Sequence, residues 1–192
     1  TAPSSTVIAH GTAPTGTLPP THTPTPTPAP FADVISQTLR NSGFEDLDAG
    51  GAPFAWEKYG GVLSSDARSH SGSRAARLDS ATASTKWLHQ AVIVQPGAWY
   101  TFDAWVLHGD AAVASAFLRV SWYTSADASG AAIDTADSTT RLDAPSVAYR
   151  HLTTDAIAAP PAARSARVRV MLAPASDASA SILVDDAAFY AV

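Results

Sequence analysis

The sequence predicts an all-β fold, a sandwich or barrel of short strands. Three observations carry this expectation. Turn-forming residues recur at close intervals from Asn41 onward: Gly43, Gly50-Gly51, Gly60-Gly61, Ser71-Gly72-Ser73, Pro96-Gly97, Gly109-Asp110, Ser129-Gly130 and Pro160-Pro161. Short apolar runs lie between them, and no segment sustains the 3.6-residue period of an amphipathic helix. The stretch Lys86–Leu107, KWLHQAVIVQPGAWYTFDAWVL, reads as two strands broken by one corner.

The chain begins with a different kind of polymer. Residues 1–30 are rich in proline, and residues 21–30 read THTPTPTPAP. Each proline removes a backbone donor and pushes its predecessor into an extended state. A semi-rigid, polyproline-like disordered linker is expected there, of the kind that tethers a module to other domains of a secreted or cell-surface protein. Residues 31–40 are a lead-in whose pattern fits a short helix or an extended segment. Residues 41–192 form the expected folded domain.

Within that domain the strand candidates are Ala75–Leu78, Leu88–Val94, Tyr100–Leu107, Ala116–Tyr123, Arg150–Thr153, Ala166–Leu172 and Ser181–Tyr190. Pro96-Gly97 marks a turn, because proline presets φ and glycine accepts the positive φ that a type II turn requires. After it, Tyr100, Phe102, Ala104 and Val106 share one face. Trp99, Thr101, Asp103, Trp105 and Leu107 share the other, where tryptophan is mixed with polar groups. Alternation likewise separates Val168, Val170 and Leu172 from Arg167, Arg169 and Met171, and Leu118, Val120 and Trp122 from Arg119, Ser121 and Tyr123. Trp56 and Trp122 read as core, and Trp99 as a rim residue beside the turn.

Composition narrows the function classes. The 192 residues are 46% hydrophobic and 15% charged, with a net charge of −5 and no cysteine. The absence of cysteine excludes disulfides, a thiolate nucleophile and a Cys-ligated metal. With no basic stripe, nucleic acid is not expected as a partner. No apolar run approaches the ~18–20 residues of a membrane span. Neither a Gly-x-Ser-x-Gly elbow nor a His-Glu-x-x-His run occurs. Asp46 with Asp48 and Asp185 with Asp186 are carboxylate pairs by sequence only, so no catalytic residues are expected.

Six motifs in order complete the reading: Asn41-Ser-Gly-Phe-Glu45, Pro53 to Trp56, Ser71-Gly-Ser-Arg-Ala-Ala-Arg-Leu78, Gln90 to Pro96-Gly97 with Tyr100 to Trp105, Ser165-Ala-Arg-Val-Arg-Val170, and Ile182-Leu-Val-Asp-Asp186. This succession, over roughly residues 38–192, resembles the jelly-roll, galactose-binding-like carbohydrate-binding modules appended to bacterial cellulases and xylanases. The resemblance implies two antiparallel sheets packed face to face, with a poly- or oligosaccharide cleft on one. It also implies that successive strands switch sheets, so that the Pro96-Gly97 corner crosses between them. The same fold serves adhesion and purely structural roles, so a β-sandwich without a sugar site is the alternative.

These modules often hold a structural calcium ion where the first strand meets the last. The resemblance places it at Glu45 and Asp185, with Gly43, Ser73 and loop carbonyls near His70–Arg74 closing an oxygen shell. The other reading of the two carboxylates is that they only bond backbone amides. For the ligand, flat aromatics flanked by hydrogen-bonding groups are needed. Trp87, Trp105 and Tyr123, with Arg119, Arg169, His89 and Asp103, are expected to form that cleft. The whole is read as a non-catalytic, extracellular, monomeric binding module.

Overall fold

Eleven strands form in the computed structural model, which describes Thr1 and residues 39–192. They are β1 (Glu57–Tyr59), β2 (Val62–Asp66), β3 (Ala75–Ser80), β4 (Lys86–Ile93), β5 (Trp99–Leu107), β6 (Val113–Tyr123), β7 (Asp134–Leu142), β8 (Arg150–Thr153), β9 (Ile157–Ala158), β10 (Ser165–Pro174) and β11 (Ala180–Ala191). The Thr/Pro segment and the lead-in, apart from Leu39 and Arg40, lie outside the described residues. Among the described residues no helix is long and apolar enough to cross a membrane.

The strands make two antiparallel sheets. The first has the order β1-β4-β10-β6-β7, and the second β2-β3-β11-β5-β8, with β9 also paired to β5. Strands adjacent in sequence repeatedly fall in different sheets, as the jelly-roll expectation requires. Every strand run read from the sequence is a strand here. The structure adds β1, β2, β7 and β9, whose sequences lack a clean apolar alternation.

Period-2 patterning builds the core. Leu88 and Val92 of β4, Val168, Val170 and Leu172 of β10, and Leu118, Val120 and Trp122 of β6 are buried on the inner face of the first sheet. Phe102, Ala104 and Val106 of β5, Leu78 of β3 and Ile182 and Val184 of β11 answer them from the second. Tyr100 stacks on Phe189 with centroids 4.9 Å apart and planes at 4°. Trp56 and Trp122 are both core residues, and Trp99 is 54% exposed, as expected. Each buried aromatic or branched aliphatic side chain contributes on the order of 1.5–3 kcal/mol of transfer free energy.

The corner after β4 decides what faces where. Ala98 N–H donates to the Gln95 carbonyl at 3.2 Å, and Gly97 sits at φ +75°, closing the turn. The Tyr100 hydroxyl accepts from Gln95 N–H at 2.8 Å and fixes the turn to the core. The chain passes here from the first sheet to the second. Outward residues of β4 and β5 therefore look to opposite sides of the molecule.

Candidate functional site

Hydrogen-bonded register lays side chains out in rows across the outer face of the first sheet. One row runs Tyr59, Trp87, Met171, Phe117, Arg141, and the next runs Glu57, His89, Arg169, Arg119, Asp137. A third carries Arg167, Ser121 and Thr135. This face is not an ordinary solvated surface. Tyr123, Met171, Ser121 and Arg169 are all buried on it.

A groove of about 240 Å³ opens on this face, and Trp87, Arg119, Ser121, Tyr123, Thr135 and Arg169 contribute to its lining. Tyr59 stacks on the Trp87 indole at 4.0 Å and 9°, which steadies the ring. Tyr59 itself is 58% exposed at the sheet edge. The Arg169 guanidinium lies 5.7 Å from the Trp87 ring centre. It donates through Nη1 to the Ser121 hydroxyl at 2.6 Å and through Nη2 to the Tyr123 hydroxyl at 2.8 Å. Burial pushes this guanidinium down from its ordinary value, with Tyr123 acting in the opposite sense. Arg119 makes a two-point bond to Asp137, at 2.6 and 3.0 Å, and Arg141 joins the same carboxylate at 3.0 Å. Burial works against the Asp137 charge, yet the two arginines hold its carboxyl below the usual range.

His89 stands at one side of the groove. Burial, and then the positive charge of Arg167, push its imidazole down to about 4, so it is neutral near pH 7. Its Nε2 faces Glu57 at 3.4 Å, while its buried Nδ1 has no partner.

Five of the seven expected ligand residues thus meet on one face: Trp87, His89, Arg119, Tyr123 and Arg169. Tyr123 joins them through its hydroxyl and is too buried to offer a ring face. Trp105 and Asp103 are a correction. They belong to β5, on the outer face of the second sheet, because the Gln95–Ala98 turn carries the chain across the sandwich. There the Trp105 ring is covered by His70 at 3.9 Å and 12°, with His151 at 5.3 Å. Asp103 accepts from the Tyr190 hydroxyl at 2.9 Å and lies 3.6 Å from His151. The sequence reading missed Tyr59, Ser121 and Thr135. Tyr59 lies in a three-residue strand, and the hydroxyls of Ser121 and Thr135 gain meaning only from the register that pairs them.

The candidate metal residues also converge. Glu45 accepts from Ser73 N–H at 2.8 Å, Ser73 Oγ at 2.6 Å and Arg74 N–H at 3.1 Å, and the Ser73 bonds hold its carboxyl below the ordinary value. Its side chain fills the space above Gly72, where an added Cβ would lie 2.0 Å from Oε1. Asp185 is fully buried and accepts from His70, Ser71 and Asp186 N–H at 2.7, 3.1 and 2.8 Å. Burial pushes its carboxyl up against these three bonds. Simple alternation would send Asp186 to the opposite face. Instead a bulge between Asp185 and Ala188, with Asp186 at φ +45°, turns it to the same loop. It meets His70 Nδ1 at 2.6 Å and Ser71 Oγ at 2.7 Å. Ala187 N–H donates to the Ser42 carbonyl at 2.9 Å beside them. First and last segments are therefore clasped to loop 70–74. The hydrogen bonds to these carboxylates come from N–H and hydroxyl donors, so the arrangement works as a hydrogen-bonded clasp; a calcium shell would need oxygens in the places the N–H groups take.

No family model matches the sequence, and no curated protein matches it. Solved structures do match in fold. A family 22 xylan-binding domain from Paenibacillus barcinonensis Xyn10C is 16% identical, with a TM-score of 0.59, over 84% of this chain and 98% of that one. A family 61 carbohydrate-binding module in complex with β-1,4-galactotriose is 18% identical, TM-score 0.54, over 80% and 97%. The enzymatically active domain of tailspike protein 4 of bacteriophage CBA120 is 14% identical, TM-score 0.61, over 82% of this chain. The chain spans only 22% of that tailspike chain. The shared feature is the jelly-roll β-sandwich.

Proposed function

We propose that this chain is a non-catalytic carbohydrate-binding module. The observation that carries the reading is the groove on the first sheet, where the Trp87 indole stands beside the donors of Arg119, Ser121, Thr135 and Arg169. A sugar ring presents an apolar C–H face and a rim of hydroxyls, and this groove matches both. The groove lining has no carboxylate, so it offers neither the acid nor the nucleophile of glycoside hydrolysis. Domains of the same fold bind xylan and β-1,4-galactotriose, which supports the reading.

The Thr/Pro-rich segment supports a secreted or cell-surface module that holds its partner domains near a polysaccharide. Calcium at Glu45 and Asp185 would add a second tie between the chain ends, and no part of the binding reading depends on it.

The test is retention of the full chain in native gels cast with soluble xylan, galactan, glucomannan and polygalacturonate. Retardation by at least one, relieved in Trp87→Ala, is the expected result. Wild-type migration unchanged in every gel would overturn the reading and leave a structural or adhesion β-sandwich in its place.

A further inference from the structure

Charge on the groove face runs opposite to charge on the chain. The chain as a whole carries −5. Register places Arg119, Arg141, Arg167 and Arg169 on this one face, against the carboxylates of Asp137 and Glu57. Glu57 faces His89, whose imidazole is neutral, so it neutralises no cation there. Arg119 and Arg141 share the single carboxylate of Asp137.

Arg167 and Arg169 have no such partner. The arginine ion pairs among the described residues use Arg68, Arg77, Arg119 and Arg141. Arg167 donates to the Ala128 carbonyl at 2.7 Å, and Arg169 to two hydroxyls, all neutral oxygens. Arg169 is only 8% exposed, and the Nε of each arginine is buried without any acceptor. A buried guanidinium normally has a carboxylate or phosphate beside it, because its five donors lie in a fork that fits two oxygens at once. Two of the donors of Arg169 are used.

We infer that the groove takes an acidic sugar: a uronate residue whose carboxylate completes Arg169 while its ring stacks on Trp87, with Arg167, two residues along the same strand and outside the groove lining, adding positive charge beside it. This rests on the carbohydrate-binding reading of the same groove. It departs from an uncharged ligand by assigning the missing counter-ion to the substrate. The paired arginines choose the charge, and the indole requires that it be carried on a ring.

Polygalacturonate and its fully methyl-esterified form separate the two ideas, since they share a backbone and differ only in charge. Isothermal titration of the full chain should show binding to polygalacturonate, weakened roughly tenfold between low and 0.5 M salt, and at least about tenfold weaker binding to the ester. Arg169→Met should remove the preference for the acid form, and the half-buried Arg167→Gln should reduce it, with circular dichroism unchanged in both. Alginate and glucuronoxylan serve as further acidic probes. Equal binding to acid and ester, or binding to neutral xylan or galactan alone, overturns the acidic assignment while the carbohydrate reading stands. Binding to none of these glycans overturns both.

Discussion

Two tryptophans on outward-facing strand positions have opposite fates. Trp87 of β4 has Tyr59 against it and lines an open groove, with unpaired arginine donors beside it. Trp105 of β5 is boxed in by His70 and His151, and the carboxylates near it, Asp103 and Asp186, already have partners. Sequence alternation treats the two alike. What separates them is whether the surrounding polar groups are satisfied within the chain. A satisfied neighbourhood is packing, and an unsatisfied one is available to a ligand.

The sharpest way to break the comparison is to truncate each ring. Trp87→Ala should cost glycan binding about tenfold or more, on the order of 1.5–2.5 kcal/mol, with little change in melting. Trp105→Ala should do the reverse, losing about 2 kcal/mol of stability while affinity in the same titration holds. Equal loss of binding in both would show that the second sheet also touches the ligand.

Next in size is the clasp beneath Trp105. Asp185→Asn places an amide hydrogen where a backbone N–H now finds an oxygen, and should lower stability by about 1–2 kcal/mol in denaturant unfolding. A chelator should leave the melting temperature of the wild type where it is. A drop on adding EDTA would show that a cation, and not the amide bonds alone, closes the loop.

Acid should act through the groove side. Folded His89 titrates near 4 and the unfolded residue near 6.5. Between those values the unfolded chain takes up a proton that the folded chain refuses, so stability falls as pH drops from 6.5 toward 4. The loss should be about 1–2 kcal/mol at pH 5 after allowance for solvent screening. His89→Gln should flatten that part of a melting-against-pH curve. The smallest effect belongs to the corner: Gly97→Ala meets no neighbouring atom but must hold φ +75°, costing about 1 kcal/mol.

Much of the sandwich is legible in the residues themselves. The alternation of β4, β5, β6 and β10 is strong, and Pro96-Gly97 names its own turn. The strand β7 is not legible, because DTADSTTRL presents hydroxyls and charges in place of apolar alternation. It sits at a sheet edge and earns its place partly through the Ser138 hydroxyl, which accepts from Leu118 N–H at 2.9 Å. Within the site, Trp87, His89, Arg119 and Arg169 follow from alternation alone. Trp105 and Asp103 do not, since membership of a sheet is a property of the corner and not of the strand. The side on which Asp186 lies is illegible too, because one bulge shifts the count by a residue.

The solitary guanidinium of Arg169 has a consequence for evolution and engineering alike. Replacing both partners, Arg169→Met with Tyr123→Phe, removes the desolvated cation together with the buried hydroxyl it bonds, so the double variant should melt higher than the parent chain. Selection for thermal robustness alone would erase such an arginine. If Arg169 holds a ligand carboxylate as proposed, tolerance of heat is traded there against recognition, and thermostabilised variants of this domain should be screened for silence toward their target.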